Sequence, residues 1–344
     1  MECTRGSVQG REGGWMLYKG SDILADLYRA LVSKGFRVVA PVRRGWAHIL
    51  APVDNPEEID LDFVRTVNSP KHFLYPPSEP VFTWRRRSGE LVFEEPFQDP
   101  PEPIAFLGIK PCDANAIALL DEVLIRWGGD PYYASRRSRS FAAVFDCRRW
   151  DRYCFCESLG YRVPIVGSYD IWVVEDDGEV FLRASTSKGG EVLGMLNTAP
   201  APHPPRIRRL GTDRLGKELI DRLARFYESD RWREVSRRCL LCGGCTSSCP
   251  TCTCFDTRDD PLPDLSQGIR MRLWTSCVLR SFTMVAGGRV VRRSREERFK
   301  FRYFHKLVFS KERLGRYLCV GCGRCSAQCP AGIDMVEVVR SVAG

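Results

Sequence analysis

No stretch of this 344-residue chain approaches the roughly 18 to 20 consecutive apolar residues that cross a bilayer, and its opening, MECTRGSVQGREGGW, has no apolar run of signal-peptide length. The expectation is a cytoplasmic protein without a transmembrane segment. Nucleotide motifs are missing too: no G-x-G-x-x-G follows a strand-like run, and G-x-x-x-x-G-K-[ST] does not occur. Histidine is scarce. The four present, His48, His72, His203 and His305, stand in apolar, proline-flanked or basic surroundings and read as structural or surface residues. With no Ser-His-Asp arrangement and no glutamate-containing metal motif, no catalytic residue is expected.

Acidic residues are outnumbered 43 to 52, for a net charge of +9. The excess is uneven, with twelve Arg or Lys against three Glu between Arg280 and Arg316. A basic face of this kind is expected to be solvated or turned toward an acidic partner, with Arg289 to Lys300 as the docking candidate. Charge alone is a weak reason to expect nucleic acid, and none is expected.

Cysteine is what the chain has in excess, at sixteen. A disulfide framework belongs with secretion and lacks tight C-x2-C clusters, so metal binding is the expectation. The stretches CLLCGGCTSSCP from Cys239 and CVGCGRCSAQCP from Cys319 write C-x2-C-x2-C-x3-C-P twice, 80 residues apart. The first three thiolates of such a run surround one cubane, and the fourth, before proline, serves the neighbouring cluster. Cys239, Cys242, Cys245 and Cys329 are therefore assigned to one 4Fe-4S centre, and Cys319, Cys322, Cys325 and Cys249 to a second. Gly243, Gly244, Gly321 and Gly323 are expected to let backbone approach the sulfides. Structural zinc sites use two separated C-x2-C pairs or mix in histidine, which matches poorly. Two such centres sharing a small fold would conduct electrons, whereas a structural role in nucleic-acid binding would need only one.

The remaining cysteines are less decisive. Cys112, Cys147, Cys154 and Cys156 follow the ends of strand-like runs, where they would hold a third Fe-S cluster or serve as core thiols. At the start of a helix, Cys112 would have its pKa lowered. Cys252, Cys254 and Cys277 make three candidate ligands with no evident fourth, or buried thiols beside the clusters. Cys3 is incidental.

Around these lies a mixed α+β and α/β pattern. SDILADLYRALVSKG reads as a capped amphipathic helix, FRVVAPV, PIAFLGI and SFAAVFD as strands, DANAIALLDEVLIRW as a helix between two of them, and YDIWVVEDDGEVFLRA as a hairpin turning at Asp177 and Gly178. Residues 55–103 read as loops with short strands such as 90–93. APAPHPPRI reads as a linker, and an amphipathic stripe after it delivers the chain to Cys239. The expected domains are an N-terminal α/β domain over 1–205 and, over 206–344, a helix followed by a bacterial-type dicluster 4Fe-4S ferredoxin-like domain with a long insertion.

The combination of GIKPCDANAIALLDEV, DPYY, CFC, WTSCVLRSFTMVAGGRV, FKFRYFHK and CVGCGRC resembles the beta, iron-sulfur subunit of cytoplasmic nickel-iron sulfhydrogenases, and the related electron-transfer component of anaerobic sulfite reductase. The resemblance runs from about Phe36 to Asp334. It implies an electron relay between a flavin subunit that handles NAD(P)H and a partner, either the small subunit of a hydrogenase or a sirohaem subunit. The family's dicluster ligands fall on the same eight cysteines, and its PCD and CFC pieces on Cys112, Asp113, Cys154 and Cys156. One departure is that ESLGYRVPIVGSYDIW follows CFC where relatives carry a glycine-rich stretch. The alternative from another class is a flavin-binding oxidoreductase with a fused ferredoxin domain.

Overall fold

The computed structural model describes residues 14–95 and 101–344. Cys3 lies outside the described residues. Strands β1 (Met16–Tyr18), β2 (Arg37–Arg44), β3 (Ala47–Pro52), β4 (Ser78–Arg87), β5 (Glu90–Glu94), β6 (Ile104–Ile109), β7 (Ser140–Phe145), β8 (Ile171–Asp176), β9 (Glu179–Ala184), β10 (Thr198–Pro200), β11 (Phe255–Pro261) and β12 (Gln267–Trp274) form two sheets.

The larger sheet runs β10-β1-β9-β8-β7-β6-β2-β3. Its centre, β2, β6, β7 and β8, is parallel, and antiparallel strands close both sides. Both faces of the central strands are buried, which is why IAFLGI and, after Ser140, FAAVF are apolar runs. The helix Ile23–Ser33 covers one face, capped by Asp22, whose carboxylate accepts from the backbone N–H of Leu24 and Ala25. The β8–β9 hairpin turns where expected, with Asp177 and Gly178 both at positive φ (50° and 80°). The proline-rich linker differs from its sequence reading. Thr198–Pro200 pairs with β1 at the sheet edge, where a proline's missing N–H faces no partner strand.

The helix between β6 and β7 also departs from the expected single stripe. Pro111–Leu120 is α-helical, but Asp121–Trp127 widens into a π-helical turn. The extra residue per turn rotates the following side chains away from the core. Leu120 stays buried while Trp127 is exposed, its indole N–H donating to Glu122 at 3.1 Å.

A second sheet, β11-β12-β4-β5, is assembled from two distant segments. Strands β4 and β5 come from the 55–103 region, and β11 and β12 from the stretch between the two cysteine motifs. Their junction, β12 against β4, is antiparallel. Buried Arg272 fastens it by pairing with Glu79 and Asp130. The same inter-motif stretch contributes the helix Arg295–Phe304, opened by a Ser294–Glu297 capping box. Among the described residues no helix is long and apolar enough to cross a membrane.

Candidate metal centres

Each cysteine motif folds the same way. A glycine at positive φ, Gly243 (80°) or Gly323 (72°), precedes a four-residue helix, Gly244–Ser247 or Arg324–Ala327. The backbone then hooks back, with Cys249 N–H donating to Thr246 O and Cys329 N–H to Ser326 O, both at 3.2 Å. The hook turns the fourth cysteine of each motif away from its own first three.

The destination of that fourth cysteine is visible in two cavities. Cys239, Cys242, Cys245 and Cys329 line one, and Cys249, Cys319, Cys322 and Cys325 line the other. Cys325 and Arg302 border both, so the cavities adjoin. Among the described residues no three Cys, His, Asp or Glu side chains close around a single ion. A zinc ion would draw its thiolates to ~2.3 Å, whereas a cubane places each thiolate on its own iron around a wider body. The donor set, four thiols for each cavity with Cys325 at the boundary between them, fits 4Fe-4S clusters. Cys242 is exposed and opens the first site to the surface, while Cys249 is buried in the second.

Burial pushes the thiols of Cys239, Cys245, Cys319 and Cys325 up, and that of Cys322 up to about 11. Iron binding must therefore displace protons. Cys249 is the exception, held low by a hydrogen bond from the Cys252 thiol.

Gly321 and Gly323 also make room for a second approach, while the Gly321 backbone N–H hydrogen-bonds the Cys319 thiol. A Cβ on Gly321 would stand 2.5 Å from Cys156 N, and one on Gly323 2.4 Å from Tyr153 O. The segment Tyr153–Cys156 is laid directly on the second motif, with Phe155 N–H donating to Gly321 O at 2.9 Å. At the equivalent place in the first motif, Leu241 adopts φ 53°.

Cys112 and Cys147 leave the same edge of the large sheet, just beyond the paired ends Ile109 and Val144 of parallel β6 and β7. Cys112 raises its ionisation cost jointly with Cys147, Cys147 with Cys156, and Cys156 with Cys154, so the four lie within electrostatic reach of one another. Cys112 also feels Cys322. Arg65 joins the groups, donating from Nη2 to Cys154 Sγ at 3.3 Å and from Nε to Cys322 O at 3.0 Å. The expected low pKa of Cys112 is not found. Burial, then neighbouring Asp113, pushes that thiol well up, outweighing the helix N-terminus.

Cys252, Cys254 and Cys277 sit beside the second cavity as a pair and a single. Cys252 bonds Cys249, and Cys277 bonds Cys254, whose thiol is lowered by that contact. What composition and spacing missed is the set of cations around them. Lys71, Arg302 and Lys306 are all buried. Lys71 Nζ donates to Cys252 O at 3.1 Å, Arg302 Nη1 to Cys252 Sγ at 3.6 Å, and Lys306 Nζ to Thr251 Oγ1 at 2.8 Å. The only available signal was the i, i+4 spacing of Arg302 and Lys306 inside FKFRYFHK.

Residues 238–333 match the family described as 4Fe-4S dicluster domain. Over 334 residues the chain is 31% identical to sulfhydrogenase 2 subunit beta of Pyrococcus furiosus, covering 94% of this chain and 96% of that protein. The chain belongs to the sulfhydrogenase subunit beta family. It combines a mixed α/β N-terminal region with a C-terminal dicluster ferredoxin domain, and has the character of an iron-sulfur electron-transport subunit. No solved structure matches it.

Proposed function

We propose that this chain is the iron-sulfur subunit that relays electrons between the small subunit of a cytoplasmic nickel-iron sulfhydrogenase and an NAD(P)H-linked flavin subunit. The observation that carries the relay is the crossing of the two cysteine motifs onto adjoining cavities. The relative named sulfhydrogenase 2 subunit beta favours hydrogenase over sulfite reductase as the partner complex. The eight motif cysteines are the proposed iron ligands of two 4Fe-4S clusters, which when bound store and pass single electrons. Cys112, Cys147, Cys154 and Cys156 are the proposed ligands of a third, and the proposed domains are 1–205 and 206–344.

On this reading the chain's own residues set a direction in space. Cys112 and Cys154 lie against the second motif through Asp113, Arg324 and Arg65. The second cavity is enclosed beneath Phe155, and the first reaches solvent at Cys242. Electrons would enter or leave at the N-terminal thiol group and at the first site, through exposed Cys242, with the second site between them. Arg280, Arg289, Arg293 and Arg298 line one cleft, which suits an acidic partner.

Iron, acid-labile sulfide and zinc per chain, measured on anaerobically purified protein, test the reading. About eight irons support the crossed pair alone and about twelve support the third cluster as well, while zinc with little iron overturns the relay. Affinity purification from the native cell tests the partners. Nickel and flavin subunits are expected, and a sirohaem subunit in their place would move the chain to a sulfite reductase.

A further inference from the structure

Arg302 occupies an unusual position for a cation. It is 6% exposed, borders both cysteine-lined cavities, and projects from the helix Arg295–Phe304. One helical turn later Lys306, 2% exposed, borders only the cavity of Cys249, Cys319, Cys322 and Cys325. Among the described residues neither side chain has a carboxylate ion-pair partner. Leaving a buried cation uncompensated costs several kcal/mol, so the compensating charge must come from the sulfur side. Arg302 lines the first cavity with Cys245 and Cys329 and the second with Cys249 and Cys325, and Lys306 lines the second with Cys249 and Cys319.

We infer that Arg302 is a shared electrostatic clamp that raises the reduction potentials of both centres together, while Lys306 acts on the second centre alone. This rests on the reading of the two cavities as 4Fe-4S sites. One electron arriving from the donor partner adds one negative charge to a centre, and a fixed positive charge beside it favours that uptake. Arg302 is itself neither oxidised nor reduced, and its guanidinium does not deprotonate, so the compensation needs no proton transfer. Because one cation faces both sites, it shifts both potentials in the same direction, while Lys306 sets the second centre above the first. Arg302 is thus a positioning residue for charge.

The test is an EPR-monitored redox titration of the full chain, with iron counted in every sample. Arg302→Met is expected to lower both midpoints by about tenfold in the reduction equilibrium, about 59 mV for one electron, with Arg302→Lys staying within threefold of wild type. Lys306→Met is expected to lower one midpoint and leave the other. Retained clusters with unmoved potentials in Arg302→Met, or movement of only one, overturn the inference and leave the cluster reading intact. A wild-type chain without iron-sulfur signals overturns the cluster reading itself. If Arg302→Met does not assemble, Arg302→Gln and Lys306→Met decide. Glutamine must lower both midpoints and the lysine variant one, and any other pattern overturns the clamp.

Discussion

Arg324, inside the second cysteine motif, donates from Nη2 to Asp113 Oδ2 at 3.1 Å, next to Cys112 in the first turn of the helix Pro111–Leu120. Its Nη1 stands 2.8 Å from Asp113 Oδ1, and both side chains are almost fully buried. The guanidinium also holds Thr66, with Nε donating to its carbonyl at 2.8 Å. One arginine therefore fastens the second cysteine motif to a helix and a loop of the N-terminal region. Asp113→Asn should cost about 3 to 5 kcal/mol, since it strands a buried cation. Urea midpoints check this. The double change Asp113→Leu with Arg324→Met should recover part of the loss, because no lone charge remains.

Gly321→Ala should cost about 2 to 4 kcal/mol, combining left-handed strain with a collision at Cys156 N. Gly287→Ala has the same backbone problem at φ 80° but open space around it, and should cost only about 1 kcal/mol. Thermal unfolding of both variants checks the pair. Equal losses would mean that the 153–156 segment does not rest on the motif.

Iron counting separates the cysteine groups. Cys112→Ala should remove about four irons from a chain that holds about twelve and leave the dicluster signals in place. Cys249→Ser should disturb the second centre of the pair. A Cys112 variant with unchanged iron would return the four N-terminal thiols to a packing role.

His72 and His305 should make the chain acid-sensitive. Burial, reinforced by Lys71 beside His72 and Lys306 beside His305, lowers both rings from 6.5 to about 4. As pH falls from 6.5 toward 4, the unfolded chain takes up protons at these rings that the folded chain refuses. Stability therefore drops through that window and levels off below it. His305→Phe preserves the stack on Phe301 and should flatten part of the slope, read from denaturant midpoints across pH.

Much of the architecture was legible because its signals are local. The cap at Asp22, the turn at Asp177 and Gly178, the buried runs of β6 and β7, and the repeated cysteine spacing each depend on neighbours a few residues away. Trp127 and Thr198–Pro200 were not legible, for the opposite reason. A π-helical turn shifts helical phase without a compositional mark, and a proline is tolerated at a sheet edge only when the edge position is known.

The sequence by itself determined which atoms are available for chemistry: eight thiols in two repeated motifs, four more after strand-like runs, and three between the motifs. Tertiary structure alone decided what stands beside them. The packing of 153–156 on Gly321 and Gly323, the Arg324–Asp113 pair, and the convergence of Lys71, Arg302 and Lys306 on Cys252 and its neighbours all join segments far apart in the chain. Such contacts follow from how sheets and insertions close in three dimensions. Burial then makes an unpaired cation count, because the charge has no water to share it.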